Sequence, residues 1–87
     1  MDAKTIGSRV RKILEKQLKA RGLRLRVNDN DSIITVGALD SLSAIELVAA
    51  LEKTFGITVL AEEMTESNFD SISKISNFTK AKIGGEK

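Results

Sequence analysis

Between Asp40 and Gly56 runs Ser41-Leu42-Ser43-Ala44-Ile45-Glu46-Leu47-Val48-Ala49-Ala50-Leu51-Glu52-Lys53-Thr54-Phe55, a segment that suits one regular conformation. Leu47, Leu51 and Phe55 recur every four residues with Ala44 and Val48 beside them, which lays an apolar stripe along one side of an α-helix. Asp40 can cap its start, Ser43 and Glu46 fit a capping box one turn in, and Gly56 can end it in the left-handed conformation. The spacing therefore predicts a helix from about Ser41 to Phe55. Leu42, Ile45 and Ala49 form a second stripe. At roughly 100° per residue they sit well round the cylinder from Leu51 and Phe55, so a helix packed on one side leaves them partly in water.

The flanking sequence supplies fewer regular elements. Ile6, Val10, Ile13, Leu14 and Leu18 recur at helical spacing, with Thr5 as N-cap and Gly22 as stop, while Arg9, Lys12, Lys16 and Lys19 make a solvated face. Residues 22–39 lack that period. Leu23-Arg24-Leu25-Arg26-Val27 alternates and Ile33-Ile34-Thr35-Val36 is β-branched throughout, so either suits a short strand. Turn chemistry in Asn28-Asp29-Asn30-Asp31-Ser32, and the marginal stability of two short strands without a third, favour an extended loop of about 18 residues. Beyond Gly56, Ile57-Thr58-Val59-Leu60 is extended in character, and residues 61–68 leave room for at most one helical turn before Phe69. Asp70 or Ser71 then caps a last helix marked by Ile72, Ile75 and Phe78, closed by Gly84 and Gly85, with a tail that frays. The expected fold is all-α: a small four-helix bundle of three main helices and one short helix, with a long first loop. Eighty-seven residues suffice for one domain, 1–87, with the bundle over about 4–83.

Composition removes most chemistry. The chain has no cysteine, histidine, tryptophan or tyrosine. A disulfide framework and a thiolate metal site are thereby excluded, and the usual general base near neutral pH is missing, so no self-contained catalysis is expected and no metal site. Apolar runs are only a few residues long and an amphipathic segment follows the N-terminus, which predicts a cytoplasmic protein without signal peptide or membrane insertion. The net charge of +2 conceals three blocks. Residues 1–30 hold nine basic and three acidic side chains; residues 31–70 hold eight acids against Lys53 alone; residues 71–87 hold four lysines and Glu86. A charged partner meets one region, not the average.

Ser41 stands in the first turn of the best-capped helix, directly after the glycine-containing entry Gly37-Ala38-Leu39-Asp40. Free backbone N–H groups and the positive end of the helix dipole favour a phosphate ester there. An Asp-Ser pair before an apolar run is also a common way to begin a helix. Context adds what the pair lacks. From Asp31 to Phe78 the sequence resembles acyl and peptidyl carrier proteins, in the approach Asp31-Ser32-Ile33-Ile34-Thr35-Val36-Gly37, in the Asp40-Ser41-Leu42 motif with its helix and exit through Ile57, and in Phe69-Asp70-Ser71-Ile72-Ser73-Lys74-Ile75-Ser76-Asn77-Phe78.

That resemblance implies a four-helix bundle whose long loop crosses one end, and a 4′-phosphopantetheine arm donated from coenzyme A and held covalently on Ser41. The arm ends in a thiol that carries acyl or aminoacyl groups as thioesters, which supplies the reactive sulfur this cysteine-free chain lacks. Implied partners are a phosphopantetheinyl transferase, an acyl- or aminoacyl-activating enzyme and a downstream synthase or acyltransferase, all served by a monomer. Asp40 is implied in helping the transferase bind its metal-bound donor, and Leu42 in engaging an apolar pocket on partners. Two features depart from fatty-acid-synthesis members: Ala38 and Leu39 both separate Gly37 from Asp40 where one residue is usual, and the first 30 residues are basic. Both point to stand-alone carriers of the specialised or D-alanyl type, serving lipid, polyketide, peptide or cell-envelope synthesis.

Partner recognition is expected from Leu42, Ile45 and Ala49 as apolar contacts, ringed by Asp40, Glu46, Glu52, Glu62, Glu63 and Glu66. Leu47, Leu51, Val59, Met64, Phe69 and Ile72 are expected as ordinary packing rather than a cargo pocket. Two other classes compete: a helical interaction domain without prosthetic group, and a nucleic-acid module using Lys4, Arg9, Arg11, Lys12, Lys16, Lys19, Arg21, Arg24 and Arg26. No base-stacking Tyr or Trp accompanies those cations and an acidic block adjoins them, so no nucleic-acid partner is expected.

Overall fold

The computed structural model describes residues 2–85. Its helices are α1 (Ala3–Ala20), α2 (Ser41–Phe55), α3 (Glu66–Phe69) and α4 (Ile72–Ile83), with a 3₁₀ turn at Ala61–Glu63 before α3. Among the described residues there is no strand, so both short-strand alternatives fail. The expected all-helical bundle, three main helices and a short one, is the observed architecture. The expected fraying of the tail falls partly on Glu86 and Lys87, which lie outside the described residues.

Local chemistry sets each boundary. In α1 the cap is Asp2, whose Oδ1 accepts the Thr5 N–H at 2.8 Å, so Thr5 is the recipient of the cap rather than the cap itself. The helix ends in a Schellman turn: the Leu23 N–H bonds to the Leu18 carbonyl at 2.8 Å and the Gly22 N–H to the Lys19 carbonyl at 2.9 Å, with Gly22 at φ +75°. Ser71 caps α4 through its hydroxyl, which accepts the Lys74 N–H at 3.1 Å. Residues 61–69 hold two helical turns where the sequence leaves room for one. The second of them ends on Phe69, which is buried and meets the Phe78 ring of α4 at 5.3 Å between centroids.

The core is a single cluster. Ile6, Val10, Leu14 and Leu18 of α1 meet Leu47 and Leu51 of α2, Phe69, and Ile72 and Ile75 of α4, with α1 packing chiefly on α4. Met64, expected in that core, is 37% exposed; it is the residue that ends the 3₁₀ turn and it stays outside the buried cluster.

The loop 21–40 is fastened at several points. Ile33, fully buried, plugs the bundle; its N–H bonds to the Asp70 carbonyl at 2.9 Å, and its own carbonyl accepts the Leu39 N–H at 3.1 Å. One oxygen of the Asp70 carboxylate accepts the Ser32 hydroxyl at 2.6 Å and the Ile34 N–H at 3.3 Å. Asn28–Asp31 forms the expected turn, closed by the Asp31 N–H on the Asn28 carbonyl at 3.1 Å and the Asn28 N–H on the Asp31 carboxylate at 2.8 Å. These ties deliver Ala38 and Leu39, both buried, to the start of α2.

Candidate functional site

Gly37, at φ +78°, turns the loop, and the two buried residues after it hold the chain against the bundle up to Asp40. Asp40 and Ser43 then form a reciprocal capping box. The Ser43 N–H and hydroxyl both donate to Asp40 Oδ1 at 2.9 Å, while the Asp40 N–H donates to Ser43 Oγ at 2.8 Å. Ser43 is buried by this arrangement, so the expected box between Ser43 and Glu46 is displaced by one turn toward the N-terminus. The Ser43 N–H, then the Ser43 hydroxyl, and then the charge of Arg21 and the Leu42 N–H hold the Asp40 carboxyl below the usual carboxylate range. Arg21 Nη2 lies 3.6 Å from Asp40 Oδ2. Nothing in the sequence pattern marks this pair, because it joins the end of α1 to the start of α2 across the long loop.

Ser41, the first residue of α2, is exposed. Among the described residues its hydroxyl takes no hydrogen-bond partner within the chain, in contrast to Ser43 two positions on. The hydroxyl is therefore free for chemistry, on rigid backbone and at the positive end of a 15-residue helix. A cleft of about 480 Å³ opens beside it, walled by Leu39, Ala44, Met64 and Phe69 and rimmed by Thr65 and Glu66. Such a helix start, with an open apolar groove alongside, fits a phosphate-linked arm bearing a flexible organic chain.

The other expected site residues divide into two groups. Leu42 and Ile45 are 69% and 61% exposed, Ala49 is exposed beside them, and Glu46 and Glu62 are also open to solvent. Leu60, at 49%, and Met64 are exposed apolar side chains as well. Glu52 instead accepts the Val59 N–H at 2.9 Å and closes the exit from α2. Glu63 is turned inward: Lys82 Nζ lies 2.9 Å from its Oε1, the Leu60 N–H donates to the same oxygen at 2.9 Å, and its side chain is only 16% exposed. The Leu60 N–H first, and Lys82 second, hold its carboxyl below the usual range. Its expected place on the charged rim is therefore corrected to an internal brace between the 3₁₀ turn and α4. A run of two glutamates gives no sign of which one folds back; the lysine that decides it is 19 positions away.

Among the described residues no group of carboxylates is arranged to hold a metal ion, and no helix is long and apolar enough to cross a membrane. Residues 8–78 match the family model described as phosphopantetheine attachment site. No curated protein matches the chain at a significant level.

Proposed function

Since the chain belongs to the phosphopantetheine attachment-site family, as a carrier of thioester intermediates on a covalent arm, we propose that Ser41 is the residue that receives the arm. The observation that carries this reading is the unspent, exposed hydroxyl of Ser41 at the first position of α2, next to a capping pair in which the Asp40 carboxylate and the Ser43 hydroxyl are committed to each other. Loading forms a bond from Ser41 Oγ to the phosphorus of the phosphopantetheine half of coenzyme A. The pyrophosphate bond breaks, the adenosine bisphosphate half departs, and the hydroxyl proton passes to a base on the transferase. When bound, the group supplies a thiol on which cargo is held as a thioester.

The chain's own residues do the positioning. Asp40 and Ser43 tie the first turn together, which holds the backbone that presents Ser41. Leu42, Ile45 and Ala49 form the apolar centre of a docking surface, with Asp40, Glu46 and Glu62 as the charge that steers basic partners onto it. Those partners are a phosphopantetheinyl transferase, an enzyme that activates an acyl or aminoacyl group, and a synthase or acyltransferase that takes it on. The carrier contributes no catalytic group and works as a monomer in the cytoplasm. Specialised acyl or aminoacyl cargo is favoured over fatty-acid synthesis. The supporting feature is the Gly37-Ala38-Leu39-Asp40 entry, in which both residues between glycine and aspartate are buried and set the position of the helix start.

The test is direct. Incubation with a promiscuous phosphopantetheinyl transferase and coenzyme A is expected to raise the intact mass by one phosphopantetheinyl group, and Ser41→Ala to leave it unchanged. An unmodified wild-type chain, or modification of the Ser41→Ala chain, overturns the assignment.

A further inference from the structure

A phosphodiester on Ser41 brings a permanent negative charge into the most acidic part of the chain. Residues 31–70 contain eight carboxylates and one cation, Lys53. Lys53 lies twelve residues beyond Ser41 in the same helix, which at 1.5 Å per residue places it roughly 18 Å along the axis. That exceeds a Debye length at physiological salt, so Lys53 does not balance the new charge. Beyond the positive end of α2 itself and solvent ions, a cationic side chain for the new charge is available only from another element.

Three ion pairs occur among the described residues: Arg11 with Asp29, Lys82 with Glu63, and Arg21 with Asp40. Of these, only the last touches the start of α2. Arg21 is the C-terminal cap residue of α1, fixed by the Schellman turn of Gly22 and Leu23, and its side chain remains 43% exposed. The Asp40 carboxylate is divided between two tasks. Its Oδ1 is taken by Ser43, and its Oδ2 faces Arg21 at 3.6 Å. That separation is longer than a charge-assisted hydrogen bond, so the guanidinium is held beside the Asp40 carboxylate by charge, and among the described residues its N–H donors take no hydrogen-bond partner.

We propose that Arg21 is a positioning residue for the arm, taking the phosphodiester on Ser41 as a second anionic partner and bridging it to the Asp40 carboxylate. This rests on Ser41 being the attachment residue. A guanidinium suits the task because its planar fork of five donors can serve two oxyanions at once, which the single ammonium of a lysine does less well. The root of the arm is then fixed against the end of α1, while its thiol end stays free to reach partner enzymes.

The experiment compares the apo and loaded protein. Intact mass reports loading, the Arg21 Nε–H resonance in ¹H–¹⁵N spectra reports the guanidinium, and the ³¹P resonance reports the phosphodiester. On loading, the Arg21 Nε–H resonance is expected to move more than those of Arg24 and Arg26. The ³¹P resonance of the loaded protein is expected to shift in Arg21→Ala, with Arg21→Lys between the two. The wild-type Arg21 signal needs no variant, so a folding defect in Arg21→Ala leaves the test intact. A mass gain with an unmoved Arg21 Nε–H, or a ³¹P resonance unchanged in a folded Arg21→Ala, refutes the role of Arg21 alone. A wild-type mass that does not change refutes the attachment residue, and this inference with it.

Discussion

Two serines two positions apart have opposite fates, and the capping geometry decides between them. Ser43 points back at Asp40 and is buried with both its donor and its acceptor functions spent; Ser41 points outward with neither spent. From the sequence Asp40 is a cap, but the identity of its recipient is not readable, since both Ser43 and a box starting at Ser43 satisfy the pattern. The consequence can be measured with acid. Asp40, Asp2 and Glu63 all have folded-state pKa values below their ordinary ones, chiefly through the backbone N–H groups of Ser43, Thr5 and Leu60 respectively. A lowered folded value means that the charged form is preferred by the native state, so the contribution is fully present above the unfolded carboxylate value and is lost as pH falls through the folded one. The melting temperature is therefore expected to be insensitive to these groups above about pH 5 and to drop below about pH 4. Asn at position 40 still caps a helix but does not titrate in this range, so Asp40→Asn should show a shallower acid decline than wild type. Parallel melting curves for the two proteins between neutral pH and acid would exclude a titrating cap at Asp40.

At the scale of elements, legibility tracks how local the determinants are. For α2 the stripe, the cap and the stop all lie within the segment and agree with one another, and its observed range is the one the spacing predicts. For residues 61–69 the determinants are remote. The 3₁₀ turn is braced by Lys82 of α4 on Glu63, and the end of α3 by the packing of Phe69 on Phe78, contacts that no window around the segment contains. The same non-locality turns Glu63 from the docking rim into the brace. Removing the brace should loosen this element and spare α2. In Lys82→Met, amide exchange at Leu60 and Asn68 is expected to accelerate, because the Glu63 carboxylate that receives the Leu60 N–H, and the Glu63 carbonyl that receives the Asn68 side-chain amide, lose their anchor. Exchange at Leu47 and Leu51 should stay as in wild type. Uniform acceleration along the chain would instead mean that Lys82 supports the whole bundle, and no change would mean that the ion pair carries nothing.

For the whole molecule the long first loop is the part that period and propensity describe least, since an absence of helical spacing says only what the segment is not. Its resemblance to the carrier family supplies the expectation of a loop crossing one end of a bundle, and the structure shows what makes such a loop definite. Ile33 is as buried as any residue of the helices, and its backbone joins the α3–α4 junction at Asp70 to the approach of α2 at Leu39. The position of Ser41 therefore depends on a side chain eight residues away that touches no partner. Ile33→Ala removes three buried carbon atoms from a packed site and is expected to cost about 2–5 kcal/mol, whereas Ile45→Ala, on the exposed stripe, should fall within about 0.5 kcal/mol of wild type. The two substitutions should also separate in function. At a temperature where both variants are folded, Ile45→Ala is expected to weaken the association of the carrier with the transferase. Ile33→Ala should slow loading through a less well fixed helix start, and the Ser43 amide should exchange faster with solvent. If Ile33→Ala is as stable as wild type, the loop is a tether rather than part of the core. The rigid offering of Ser41 would then have to come from the capping box alone.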